Sequence, residues 1–406
     1  MFLRELRIKN YMVHQDTTVC LEPLTVFVGP NGGGKSALFD ALLNFSMLSR
    51  GNLKQAFGPY PFSFKSTIFR GASKVSKIGF RVVMSKNRED KSSLEYEIDY
   101  AQTGLGEDHL QFVVNHERLI SHPEEKVIFD RSDPDIYQIA KSVSLENDRS
   151  LLAAVRYSQS QGAEINNELL AYCAQQVSRF NKFRLDASIL GLPTRLPDPS
   201  GEVLPRLGYH GEDLAATLFH LQETQDPALT AIRATLREID SQFVDFEFSA
   251  VGTDRIAFAV NYSDPRGTVQ AIRLSAGTLI AIGLITLVLT PNRPPVLMIE
   301  EPENGLTPQA IRVFYKSIRD LALNVDPAKR SQVLISSHSP FMICDAWNGD
   351  DREFIYQVKV EGGHAVVRRF GDVVRATGIQ LQKEKSGDRL ILGLRNAEEI
   401  MSGYLS

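Results

Sequence analysis

Three cysteines in 406 residues, Cys20, Cys173 and Cys344, are too few and too scattered for a disulfide framework, and none has a histidine at metal-ligand spacing. A reducing, cytoplasmic compartment is the expectation. Long apolar runs are lacking too. The longest, Leu279 to Thr290, has twelve residues before Pro291, against the ~20 that a membrane-crossing helix needs, so it reads as a buried helix and no membrane partner is expected. No apolar segment follows the amino terminus, where MFLRELRIKN is charged within four residues, so secretion is not expected. An excess of one charge is also missing. The 45 Lys and Arg against 49 Asp and Glu leave a net charge of −4, which removes any global electrostatic reason to coat nucleic acid and confines a basic site to a local patch. Internal repeats, low-complexity tracts and sustained heptads are absent, which excludes solenoids, disordered tails and long coiled-coil arms. What is present, 43% apolar and 23% charged, is the composition of a soluble globular protein with material for two or three domains.

Alternation at Leu3, Leu6 and Ile8, then at Val19 and Leu21, then the β-prone run Leu24 to Val28, predicts strands up to Gly29. Leu38, Leu42, Phe45 and Leu48 follow at helical spacing until Gly51. Strand-like segments at Ile78 to Met84, Leu94 to Tyr100 and Leu110 to Val114 predict an antiparallel β-meander. The pattern turns helical from about Asp133 to Arg184 and again from Asp213 to Phe243, across a Pro- and Gly-rich stretch. Strands return at Phe246 to Val260, and the remainder alternates short apolar runs with helices, as a parallel α/β sheet does. The expected organisation is an N-terminal lobe over 1–130, a helical insert over 131–244 and a C-terminal lobe over 245–406.

The segment GPNGGGKS, Gly29 to Ser36, matches G-x-x-x-x-G-K-[ST] and lies between a predicted strand and a predicted helix, the context that motif requires. Gly29, Gly32, Gly33 and Gly34 would let backbone N–H groups curl around phosphates, with Pro30 and Asn31 in the same nucleotide-binding loop and Ala37 in the first helical turn. Lys35 supplies a point charge for the β and γ phosphates, and Ser36 a hydroxyl for Mg²⁺. Far downstream, Val296 to Ile299 form an apolar run ending in Glu300 and Glu301, the pattern of a buried strand delivering carboxylates to a sheet edge. Because successive strand side chains point to opposite faces, Glu300 is assigned to the metal and Glu301 to the base that activates water. In LSAGT, Leu274 to Thr278, Ser275 and Gly277 start the buried helix, where a hydroxyl and free N–H groups could hold a phosphate as well as cap the helix. His338, after the apolar run Val333 to Ile335, stands where it could donate a hydrogen bond to a γ phosphate.

In that order, GPNGGGKS, LSAGT, VLMIEEPENGLTP and SSHSP resemble the ABC-type ATPase heads of the RecF, SMC and OLD group. The likeness is greatest to the stand-alone AAA family ATPase branch (AAA_21-like), whose Walker B motif reads EEPENGLHP. The resemblance implies an α/β P-loop NTPase with Gly29 to Ser36 as Walker A, Ser275 and Gly277 in the signature, and Glu300 and Glu301 as Walker B and the catalytic glutamate. Asn304 and Gly305 fall in the D-loop region, and His338 at the switch histidine. Thr307 stands where relatives often carry His, and Gln55 is the candidate for the Q-loop. The resemblance further implies Mg²⁺-dependent ATP binding and hydrolysis by two heads that sandwich ATP, as a homodimer or a larger oligomer, coupled to DNA or to a separate effector in DNA repair or phage defence.

The alternative is a non-catalytic, nucleotide-gated scaffold or sensor that holds a partner toxin or nuclease. A transporter subunit shares the motifs, but the meander and the insert at 131–244 are foreign to it. The run Arg179 to Arg184, RFNKFR, interleaves bases with aromatics yet alternates like a strand, and reads as an amphipathic structural segment. Asp133 and Asp135 form a D-x-D that capping at a Pro turn explains. OLD nucleases carry a Toprim domain after the ATPase, whereas 68 residues follow His338 here and Glu361-Gly362-Gly363 reads as a hairpin turn, so no nuclease of its own is expected.

Overall fold

Alternating burial along Phe2–Tyr11, with Leu6 and Ile8 inside and Arg7 and Lys9 outside, marks a sheet with one face on a core. This computed structural model describes residues 1–57, 64–69, 71, 77–103, 111–133, 145–197, 204–349, 351–377, 381–383 and 390–402. Asp135 of the D-x-D and the first part of the expected helical region lie outside them. The chain forms two units, Met1–Phe180 with Tyr356–Ala376, and Asn181–Ile355 with Thr377–Ser406.

In the first unit, Phe2–Tyr11 pairs antiparallel with His14–Cys20 and with Ile78–Ser85. Ser93–Thr103, Gln111–His122 and Lys126–Asp130 continue the sheet to six strands. The meander is longer than the three predicted strands. The apolar alternation is interrupted by a register shift between Val114 and His116 and by the buried Glu117, and pairing with its neighbours carries the Gln111–His122 strand past them. Helix Lys35–Leu48 is fastened to this sheet by Phe45, whose ring centroid lies 5.8 Å from that of Phe80 and 6.0 Å from that of Tyr96. Asn44 donates to the Tyr11 hydroxyl. On its other side Phe39 meets Phe27 of strand Leu24–Val28 edge-on at 5.9 Å. Glu117, fully buried, accepts from Arg131 Nε at 2.8 Å and from Leu151 N at 2.5 Å, and so ties the sheet to helix Leu151–Ser160. Gly362 and Gly363, with φ of +57° and +84°, turn Ile355–Glu361 back onto His364–Arg369 in the hairpin that the sequence predicts.

The second unit is built around Ala276–Leu289, a helix with no polar face whose residues Leu279 to Val288 are all buried. A helix apolar all round must be covered on every side; here helices Ala187–Leu190, Leu214–Glu223, Pro227–Ile239 and Pro308–Ala322 cover it. Each fully buried Leu or Ile adds about 1.5–3 kcal/mol. Strand Val296–Glu300 is buried at every position and runs parallel to Gln332–Ser337 on one side and to Asn181–Phe183 on the other. That third strand lies in the run RFNKFR, whose alternation reads as a strand, at the end of a region whose broader pattern is helical. Lys182 lies opposite Met298, and Phe183 is buried at 2% exposure, so ladder pairing overrides the helical tendency of its flanks. Among the described residues no helix is long and apolar enough to cross a membrane.

Candidate nucleotide-binding and hydrolytic site

Strand Leu24–Val28, buried at every position, delivers Gly29 into the loop. Gly29 has φ +146°, and a Cβ there would overlap the carbonyl oxygen of Val358 in the hairpin, so the loop is folded tightly against backbone. It ends at Gly34, the N-cap position of Lys35–Leu48, which no side chain caps. First-turn N–H groups have no intrahelical acceptor, so the loop leaves them for an anion. Lys35 is 5% exposed and its Nζ donates to the carbonyls of Gly29 at 2.7 Å and Pro30 at 3.0 Å. Asn31, Gly32 and Ser36 are exposed, while Gly33 and Ala37 are buried. A buried ammonium, an exposed hydroxyl and an uncapped helix start fit a Mg²⁺-bound triphosphate.

A histidine that sequence reasoning passed over supports this loop. His14 is fully buried, with Nδ1 3.0 Å from Thr17 Oγ1 and Nε2 3.0 Å from the Gly34 carbonyl oxygen. Burial pushes its pKa down to about 4, so the ring is neutral and donates to Gly34. Its ordinary value of 6.5 governs the unfolded chain, which therefore binds the proton first as pH falls. The stability that neutral His14 contributes is complete above pH 6.5 and is lost on acidification toward pH 4, up to about 3 kcal/mol. His14→Gln is expected to flatten melting temperature against pH over that window. An unchanged slope would show that His14 does not set the acid sensitivity.

In the second unit the strand ends at Glu300, 4% exposed, and the chain turns sharply. Glu301 has φ +45°, a left-handed conformation uncommon for a side chain of this type. The two carboxylates therefore part because of this backbone kink, rather than by simple strand alternation. Glu300 Oε2 is 3.2 Å from Lys182 Nζ and accepts from the Tyr209 hydroxyl at 3.3 Å, while Oε1 is buried with no hydrogen-bond partner among the described residues. An unpaired buried carboxylate oxygen fits a cation or its water shell. Burial pushes the Tyr209 hydroxyl above its ordinary value, which keeps it a donor. Glu301 Oε2 accepts from Arg184 Nη2 and Asn304 Nδ2, each at 3.2 Å.

Strand Gln332–Ser337 brings up His338, 43% exposed, with Nδ1 3.4 Å from Glu303 Oε1 and 3.8 Å from Glu301 Oε1. Glu303 Oε1 also accepts from Ser337 Oγ at 2.9 Å and from His338 N at 2.7 Å, so Glu303 fixes the backbone that carries the histidine. Ser275 is an exposed N-cap whose Oγ accepts from Thr278 N at 3.1 Å. A Cβ on Gly277 would overlap the Gly305 carbonyl oxygen, so the helix start and the turn after Glu301 pack backbone to backbone. Thr307 caps helix Pro308–Ala322. Gln55 is in the short helix Leu53–Phe57, its Oε1 accepting from Asn52 N at 3.1 Å.

The structure thus brings Glu300, Glu301 and His338 together, and with them four residues that sequence reasoning did not assign to the site: Lys182, Arg184, Tyr209 and Glu303. The first two lie in the RFNKFR run, where alternation signalled a strand but nothing signalled its neighbour.

A glycine loop ending in Lys-Ser at an uncapped helix, with two acids closing a buried parallel strand and a histidine closing the next, defines a P-loop ATPase head of the ABC type. The chain belongs to the family described as "AAA domain, putative AbiEii toxin, Type IV TA system", whose model matches residues 24–344. Among solved structures it is similar to an Smc head bound to the C-winged helix domain of ScpA, at 10% identity and TM-score 0.56 over 92% of this chain and 99% of that one, which shows a shared fold. An SMC head domain from Thermotoga maritima is similar at 11% identity and TM-score 0.44, over 91% of this chain and 99% of that one. The DNA double-strand break repair Rad50 ATPase of Sulfolobus acidocaldarius is 43% identical over 53 residues, which are 13% of this chain and 6% of that protein's length.

Proposed function

We propose that the chain binds Mg²⁺-ATP on Gly29 to Ser36 and hydrolyses it, with Ser36 and Glu300 as metal ligands and Glu301 as the base. Bound Mg²⁺ would neutralise phosphate charge as the terminal phosphate leaves. The observation that carries the reading is the contrast between neighbouring carboxylates: Glu300 is buried with an open oxygen, whereas Glu301 is turned aside at φ +45° and held by Arg184 and Asn304. Adjacent acids in unlike environments take different roles. Lys35 holds the phosphates, and His338, tethered to Glu303, senses the γ phosphate. Two heads close over nucleotide, with Ser275 and Gly277 of one facing the phosphate on the other.

A relative named for DNA double-strand break repair supports DNA as the coupled partner, and a family description naming a putative toxin of a Type IV TA system supports a role in such a system; a separate effector in phage defence is the further part of the proposal. The alternative is a nucleotide-gated scaffold with slow turnover. Phosphate release from ATP by the purified protein, with Mg²⁺ and with chelator, tests the first. Metal-dependent release is expected, and ATP binding with no release would favour the scaffold. His338→Ala should lower turnover about 10- to 100-fold with ADP affinity unchanged. A drop in melting temperature with no selective kinetic loss would make the histidine structural.

A further inference from the structure

Strand Asn181–Phe183 places Lys182 opposite Met298, two residues before Glu300 and so on the same face of the sheet. Both partners are deep: the Lys182 and Glu300 side chains are 8% and 4% exposed, with Nζ 3.2 Å from Oε2. Tyr209 donates to that same oxygen, and its ring lies 5.3 Å from the ammonium. One oxygen of Glu300 is thus engaged by protein and the other, Oε1, has no partner among the described residues. A carboxylate so buried is strongly disfavoured without a counter-charge. Arg184 and Glu301 repeat the pairing at the surface, with Arg184 56% exposed, where an ion pair contributes little. Lys182 is therefore the residue on which the charge balance turns.

We propose that Lys182 is the resident counter-ion of Glu300. It balances the carboxylate before nucleotide arrives and holds Oε1 open toward the metal shell, so that the chain takes a divalent cation only together with ATP. This rests on the reading of Glu300 as a metal ligand. Mg²⁺ sheds water reluctantly and is usually held by one or two carboxylates plus substrate phosphates. A single carboxylate already neutralised by lysine is a poor site for the free ion, and the ATP phosphates supply what is missing. The strand fixes the backbone of Lys182 beside Met298, so its ammonium stays within reach of Glu300, shares it with the metal and acts as a positioning residue.

The test compares full-length wild type, Lys182→Met and Lys182→Met/Glu300→Gln, all without nucleotide. Thermal melting is followed with and without millimolar Mg²⁺, and Mn²⁺ binding by electron paramagnetic resonance. Lys182→Met is expected to melt below wild type, to regain that loss on adding Mg²⁺, and to bind free Mn²⁺ at least tenfold more tightly than wild type does. The double variant, with no charge left unpaired, is expected to fold, to melt near wild type and to ignore the metal. The proposal is overturned if Lys182→Met melts like wild type and binds no more Mn²⁺. It is equally overturned if the loss is relieved by neither metal nor Glu300→Gln, because Lys182 is then a packing residue. Labelled-ATP binding to wild type separates the two levels: if ATP with Mg²⁺ binds while these results fail, only the role of Lys182 falls, and if it does not bind, the metal-ligand reading of Glu300 falls as well.

Discussion

Glu301→Gln is expected to lower ATP turnover by about 100-fold or more while ATP still binds, because removing a general base costs about 10²–10⁴ in rate. The change keeps the size of the side chain and an oxygen that can accept the hydrogen bonds from Arg184 and Asn304, both 3.2 Å long in the native protein. On the proposed mechanism it removes the charge that polarises the attacking water. The triphosphate state is then trapped, so ATP and Mg²⁺, but not ADP, should draw two heads together, detectable by light scattering or by cross-links between the phosphate loop and Ser275. Ser275 is exposed and therefore available to such a seam. Adding Ser275→Arg puts bulk and charge into it and should abolish the trapped dimer. Assembly that ignores nucleotide in both variants would defeat the sandwich, and undiminished turnover in Glu301→Gln would remove the residue from catalysis.

Lys35→Ala should weaken ATP binding by about 10- to 100-fold, since a charge-assisted hydrogen bond contributes about 1.5–3 kcal/mol and each 1.4 kcal/mol is tenfold in affinity. Its Nζ, held at 2.7 Å from the Gly29 carbonyl and 3.0 Å from that of Pro30, is kept at the loop ready for phosphate. Titration with labelled ATP reads the affinity, and melting without nucleotide separates lost binding from lost folding. Unchanged affinity in a folded variant would mean that Gly29 to Ser36 is not the nucleotide site.

These effects concern residues legible from the sequence because their signals are local. Strand, glycine loop and helix follow one another within Leu24–Val28, Gly29 to Gly34 and Lys35–Leu48, and the acids directly follow the apolar run that buries them. What was not legible depends on distant partners. Lys182 and Arg184 acquire meaning only from the register that sets Lys182 beside Met298. His14 is an ordinary strand residue until the loop brings the Gly34 carbonyl to its Nε2. The kink at Glu301 was hidden for another reason: glutamate seldom takes φ +45°, so no residue preference announces it. Alternation suggested two carboxylates on opposite faces, and the backbone separates them by turning instead.

Gly29 lies against Val358, and Gly34 against Ala365, so the wall of the phosphate loop is supplied by a hairpin encoded far downstream. Between loop and wall the chain runs through the whole of Asn181–Ile355. During synthesis the loop therefore leaves the ribosome long before the backbone that gives it its shape. A growing chain carries the nucleotide motif early but has a finished cradle only after Ala365 has emerged, which makes ATP-binding competence one of the last properties the protein acquires as it is made.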